Sequence, residues 1–198
     1  GTNGKSTTTA LIGHCLQETG RGVAVGGNIG RAACSLYDPG PDGVIVLELS
    51  SFQLETTPTL LPTITVVLNI TPDHLDRHDG VAGYVAAKSR ALSALRADGT
   101  AILGWSDDHV KNLANECKDR GVKTLIAMPD SAPAGRKHCL ALRGDHNAEN
   151  AAAAGIVLQC LGLEKDQIDH SMASFAGLPH RLQTVAKTGL ISFINDSK

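Results

Sequence analysis

The chain has 198 residues, of which 42% are hydrophobic and 19% charged, the balance of an ordinary globular domain with room for one sizeable core. A net charge of −2 at pH 7 gives no electrostatic reason to expect nucleic acid or an anionic membrane surface as a partner. Aromatic residues are only 3%, so the core must be built from Ala, Val, Leu and Ile, as suits helices laid over a parallel sheet.

Apolar runs alternate with helical periodicity from one end to the other. Thr8–Thr19 reads as a helix and Gly22–Val25 as a short strand. Val44–Leu49 (VIVLEL) is a continuous buried-strand run, followed by a helical turn at Ser51–Glu55. Ile64–Asn69 (ITVVLN) is a second such run, and Gly80–Arg96 is a helix with Tyr84, Ala87, Ala91 and Leu95 along one face. The alternation repeats at Thr100–Leu103, Asp107–Arg120 and Val122–Ala127; Asp145–Leu161 and Asp166–Phe175 read as further helices. Gly177-Leu178-Pro179 punctuates the pattern like a hinge, and beyond it Arg181–Ala186 and Leu190–Asn195 flank a turn as two strands. Strands spaced by helices imply βαβ units and a mostly parallel α/β sheet, in which ligands bind beyond the carboxyl ends of the strands.

Five cysteines (Cys15, Cys34, Cys117, Cys139 and Cys160) lack CxxC spacing and read as free thiols in a reducing compartment. No apolar run approaches the roughly 20 residues of a membrane span, and no charged-then-apolar leader opens the chain. The cytoplasm is the expected location. Gly1 lies inside a motif and Lys198 closes a pattern in progress, so the chain is expected to be a piece of a longer protein.

Three segments carry chemistry. Gly1-Thr2-Asn3-Gly4-Lys5-Ser6-Thr7 runs into a helix and matches the second half of a P-loop. Such a loop cradles phosphate oxygens with backbone N–H groups and the helix N-terminus. Lys5 would give a point charge to the β/γ-phosphates and the Ser6 hydroxyl would reach Mg²⁺; the alternative is a Gly-Asn turn capping an ordinary helix. Glu48 closes an otherwise apolar strand, where a carboxylate is costly unless paired or metal-bound; it is read as a Mg²⁺ partner or as a cap for the next helix. Asn69-Ile70-Thr71-Pro72-Asp73-His74-Leu75-Asp76-Arg77-His78 clusters His and Asp after a buried strand, with Lys88 further on. His74 is a candidate for metal or acid–base work, although Mg²⁺ prefers oxygen, whereas His78 reads as polar filler at the surface.

With these stand the strings Gly26-Gly27-Asn28-Ile29-Gly30, ELSSFQLE from Glu48 to Glu55, Gly144-Asp145-His146-Asn147-Ala148-Glu149-Asn150, Gly177-Leu178-Pro179-His180-Arg181 and Asn195-Asp196-Ser197-Lys198. Together they resemble the Mur ligase family, which joins amino acids to UDP-linked muramic acid precursors at the expense of ATP. The strings run in family order along the chain and point to the branch that adds D-glutamate.

The resemblance implies a central ATP-binding domain over residues 1–177, with residues 178–198 forming a hinge and the first strands of a C-terminal Rossmann-like domain. It implies UDP-N-acetylmuramoyl-L-alanine and D-glutamate as substrates, ATP and paired Mg²⁺ as cofactors, and a monomer. Catalysis would fall to Lys5, His74 and Lys88, and the metals to Ser6, Glu48, His74 and a carbamylated Lys88. A lysine ammonium has no acceptor lone pair and cannot itself ligate a cation; unmodified, Lys88 reads as a solvated helix residue. Gly1 to Thr7 would hold the phosphates, while Asn147, Asn150, Arg181 and Asp196 would contact base and ribose. Helix capping by Asn147 and Asn150 and a turn at Asp196 are the plainer readings. Asn28, Ser50, Gln53 and Lys198 would contact the UDP-muramoyl substrate. Rival readings are a metal-dependent hydrolase built on DHLDRH, a sister ligase of the folylpolyglutamate synthetase kind, and a nucleotide-binding switch. The chain alone is expected to bind ATP weakly and to lack ligase activity.

Overall fold

The computed structural model describes residues 2–181 and 183–195. The expected positions Gly1, Asp196 and Lys198 lie outside the described residues. Helix α1 (Lys5–Glu18) starts three residues earlier than its apolar periodicity suggests, because Gly4 takes a left-handed conformation at its N-cap. Strand β1 (Val23–Gly27) pairs in parallel with β2 (Val44–Glu48), Val23 beside Val44 and Gly27 beside Glu48. After the short helix α2 (Ser51–Thr56) come β3 (Ile64–Val67) and α3 (Val81–Ser93). The alternation continues with β4 (Thr100–Gly104), α4 (Asp108–Asp119) and β5 (Lys123–Ala127). β4 is paired in parallel on both sides, with β3 and with β5.

Three short 3₁₀ turns (Pro129–Ser131, Ala134–His138 and Leu140–Leu142) lead into α5 (Asp145–Cys160) and α6 (Lys165–Ala173). The antiparallel pair β6 (Gln183–Thr188) and β7 (Ile191–Asn195) follows. Among the described residues no helix is long and apolar enough to cross a membrane.

The expected α/β architecture is therefore present, with one change. The parallel strands form two hydrogen-bonded groups, β1-β2 and β3-β4-β5, where one sheet was expected. Strand periodicity explains the layers. On β4, Ile102 faces a core made with α1 and α5, while Ala101 and Leu103 face a second core made with α3 and α4. The first core is centred on Leu11, Cys15 and Leu16 of α1 and the alanines 151–154 of α5, all essentially excluded from solvent. Small residues on α5 let the two helices approach closely. Burying each leucine contributes on the order of 1.5–3 kcal/mol.

Candidate active site

The carboxyl ends of β2 and β3 converge on the loop that precedes α1. Thr2 N donates to Asn69 O (2.7 Å), Asn3 N donates to Asn69 Oδ1 (2.8 Å), and Asn69 Nδ2 donates back to Asn3 O (3.2 Å). Thr2 Oγ1 donates to Thr71 O (3.0 Å), accepts from Thr71 N (3.0 Å) and lies 3.1 Å from Tyr84 Oη. Asn69 and Thr71 thus fix the loop's path. Gly4 turns it with φ of 80°, and a Cβ there would collide with Asn150 Oδ1 and Leu68 Cδ1. Lys5 folds back so that Nζ donates to Thr2 O (2.8 Å). Ser6 and Thr7 lie in the first turn of α1, where backbone N–H groups have no intrahelical acceptor and favour an anion.

Glu48 ends β2 at 3% exposure. Its Oε1 accepts from Asn28 Nδ2 (3.2 Å), and among the described residues its buried Oε2 has no hydrogen-bond partner. An orphaned buried carboxylate oxygen is costly, and its chemistry fits a hard cation. Lys5 stands in the field of Glu48, Lys88 and Asp73. Burial chiefly lowers its pKa, Lys88 lowers it further, and Glu48 among others opposes the shift. Lys88, buried on α3, lies over the Tyr84 ring with Nζ 4.5 Å from the centroid. Burial pushes its pKa below the ordinary lysine value, against the pull of Asp73.

His74 occupies a different setting. Its backbone is left-handed (φ 50°), its side chain is half exposed, and its ring meets Phe52 edge-on at 5.3 Å. Its Nε2 lies 3.5 Å from Asp73 Oδ2. Among the described residues no three His, Cys, Asp or Glu side chains converge to hold a metal. A cation here would rely on Glu48 together with hydroxyl, phosphate or lysine-derived oxygens.

Ser50 and Gln53 form a capping box for α2. Ser50 Oγ accepts from Gln53 N (3.2 Å), and Gln53 Oε1 accepts from Ser50 N (2.9 Å). His78 is not surface filler. It is 5% exposed, with Nε2 3.0 Å from Ser51 Oγ, Nδ1 3.3 Å from Glu55 Oε1, and its ring between Phe52 and Tyr84. Its polar partners, Ser51 and Glu55, lie more than twenty residues away in sequence, so its own neighbours gave no sign of them.

A cavity of about 740 Å³ opens on the other side of the loop and is lined by Asn3, Thr7, Asn147, Asn150 and Arg181, among others. Asn147 Nδ2 donates to Arg143 O (2.9 Å), and Asn150 Nδ2 donates to Asn147 Oδ1 (3.1 Å). The two amides therefore brace the start of α5 from within instead of capping it. Sequence reasoning left Tyr84, Asn69 and Glu149 without roles. Glu149 is buried and its Oε1 accepts from Trp105 N (3.1 Å) and Ser106 Oγ (3.2 Å), tying α5 to the end of β4. A carboxylate directly before the alanine run of α5 was the available signal.

A glycine-turned loop at the carboxyl ends of parallel strands, opening a helix N-terminus beside a buried carboxylate, has the form of a P-loop α/β domain. The model of the Mur ligase middle domain matches residues 1–138, and the chain belongs to that family. UDP-N-acetylmuramoylalanine–D-glutamate ligase of Nitrobacter hamburgensis is 39% identical over 220 residues, and that of Caulobacter sp. (strain K31) 42% over 221. Each alignment covers 100% of this chain and 47% of the relative, so the chain spans about half the length of the curated relatives it matches. Among solved structures, MurF from Acinetobacter baumannii matches 99% of this chain and 49% of its own, with a TM-score of 0.75 at 21% identity. A UDP-N-acetylmuramoyl-L-alanyl-D-glutamate–2,6-diaminopimelate ligase matches 95% of this chain and 47% of its own, with a TM-score of 0.69 at 20% identity. These two likenesses concern the fold.

Proposed function

We propose that this chain is the nucleotide-handling part of a longer cytoplasmic enzyme that joins D-glutamate to UDP-N-acetylmuramoyl-L-alanine with ATP. The observation that carries the reading is the buried Glu48 carboxylate, one oxygen orphaned, in the field of Lys5 beside a P-loop. The relatives at about 40% identity, named for this ligation, support the choice of substrates.

The γ-phosphoryl group of ATP passes to the L-alanyl carboxylate, breaking the bond to the β-phosphate oxygen and giving an acyl phosphate and ADP. The D-glutamate amine then attacks the acyl carbon, loses a proton and expels inorganic phosphate as the amide forms. Lys5 and the first turn of α1 hold the phosphates, and Lys5 stabilises charge that grows on them in transfer. Mg²⁺ supplies charge neutralisation and a template for phosphate and carboxylate oxygens. Ser6 and Glu48 would hold one ion, and His74 with a carbamylated Lys88 the other. Carbamylation requires the neutral amine to add to CO₂, and burial of Lys88 favours that neutral form. Asn28, Ser50, Gln53 and Lys198 face the UDP-muramoyl substrate in this reading, while Asn147, Asn150, Arg181 and Asp196 serve base and ribose. Residues 1–177 are the central domain and 178–198 lead into the next one; the parent protein acts as a monomer.

The test is phosphate release by the parent protein. It should require both UDP-N-acetylmuramoyl-L-alanine and D-glutamate; equal turnover with L-lysine or meso-diaminopimelate would overturn the assignment.

A further inference from the structure

The turn that links β3 to α3 carries two histidines in opposite settings. His74 stands half exposed at its start, whereas His78 is buried at its end. The turn is tight: Arg77 N donates to His74 O (3.1 Å), and His78 N (3.3 Å) and Gly80 N (3.0 Å) both donate to Leu75 O. His74 and Asp79 take left-handed backbone conformations, with φ of 50° and 54°. Such conformations persist where the surroundings hold them in place.

The side chain of His78 supplies an anchor. Its ring lies 5.5 Å from Phe52 of α2 and 5.4 Å from Tyr84 of α3. Nδ1 is 3.3 Å from Glu55 Oε1 and Nε2 is 3.0 Å from Ser51 Oγ, both on α2. A carboxylate only accepts, so Glu55 favours the tautomer with the proton on Nδ1, and Nε2 is left to accept from the Ser51 hydroxyl. Filling the space between two aromatic rings requires no nitrogen. Two polar partners four residues apart on one helix face fix the ring's orientation and, through it, the seat of the turn on α2. The rest of the turn grips the same helix: Phe52 meets the His74 ring edge-on at 5.3 Å and Arg77 Cζ at 5.7 Å, and Arg77 Nη2 lies 3.7 Å from Glu55 Oε2. On α3, Tyr84 carries Lys88 Nζ at 4.5 Å from its ring centroid.

His78 thus joins three segments that each hold a residue assigned above to the reaction: Ser50 and Gln53 at the start of α2, His74 on the turn, and Lys88 on α3. We infer that His78 is a positioning residue of the ligation, which sets α2 and His74 for the UDP-muramoyl substrate without touching it. The inference rests on the ligase reading above. The ATP side has anchors of its own, since Asn69 and Thr71 hold the loop before α1. Loss of His78 therefore falls on one substrate and spares the other.

In the full-length parent protein, His78→Phe keeps an apolar ring between Phe52 and Tyr84 and removes both polar anchors. KM for UDP-N-acetylmuramoyl-L-alanine should rise about fivefold or more while KM for ATP stays within about twofold. A misfolded, inactive fraction would move neither constant. His78→Gln, whose amide keeps a hydrogen bond within reach of Ser51, should return the raised KM to within about twofold of the parent. Calorimetric titration of the metal-free, nucleotide-free protein with the same substrate should show the same weakening, about fivefold, in His78→Phe. Unchanged constants, or an equal rise for both substrates, would overturn the inference. Should His78→Phe fail to fold, Glu55→Gln decides, since that side chain is only partly buried. It should raise the same KM about threefold with KM for ATP unmoved, and no rise would refute the positioning role. An unaltered parent that releases no phosphate with both substrates present would instead overturn the ligase reading, and the positioning role with it.

Discussion

At Gly4 the backbone turns with φ of 80°, and Asn150 Oδ1 occupies the space a side chain would need. An L-residue there bears about 1–2 kcal/mol of backbone strain before any collision. Gly4→Ala should therefore weaken ATP binding by the parent protein about tenfold or more in calorimetric titration; unchanged affinity would show that the loop does not hold phosphate. Lys88→Ala should abolish most ligase activity, with partial recovery on adding small carboxylic acids, and full activity of the variant would refute the carbamate. The cysteines divide by burial. Cys34 and Cys160 are exposed, whereas burial pushes the Cys15 thiol up to about 11 and also raises Cys117 and Cys139. A thiol-specific reagent at pH 8 should label two cysteines in the native chain and five in guanidinium chloride, as counted by mass spectrometry. Three or more fast native sites would contradict the burial of Cys15, Cys117 and Cys139.

At the scale of elements, α2 depends on the capping box at its start. Ser50→Ala removes half of the capping box and should cost about 1 kcal/mol, read as an earlier urea midpoint with an unchanged slope. Leu16→Ala, at the centre of the α1–α5 contact, should cost about 2–5 kcal/mol. The elements were largely legible in the sequence because their periods differ. VIVLEL and ITVVLN read as strands, although β2 is less buried than expected, with Ile45 exposed, and each observed helix lies within about three residues of its expected bounds. The 3₁₀ turns between Pro129 and Leu142 went unread, since three to five residues hold no period to detect. Ser50 and Gln53, which the resemblance assigns to the substrate, also hold each other at the start of α2, a local pairing their spacing of three allows.

Across the whole molecule, legibility falls as contacts become less local. The loop before α1 was readable because Thr2 to Thr7 are consecutive, and Glu48 because a carboxylate ends an apolar strand. The hydrogen-bonded group to which each strand belongs depends on pairings tens of residues apart, and so does the burial of His78 against Ser51 and Glu55. His74, which the resemblance pairs with Lys88, stands half exposed against Phe52, next to the Asp73 whose charge acts on Lys88.

The packing of α1 on α5 also sets a timetable. α1 ends at Glu18 and α5 begins at Asp145, so roughly 125 residues must be synthesised between them. At about 5–20 residues per second, that is on the order of ten seconds. Throughout that interval Leu11, Cys15 and Leu16 have no α5 against which to pack. Through that interval the nascent chain carries this apolar face of α1 uncovered, which gives a ribosome-associated chaperone a surface to hold.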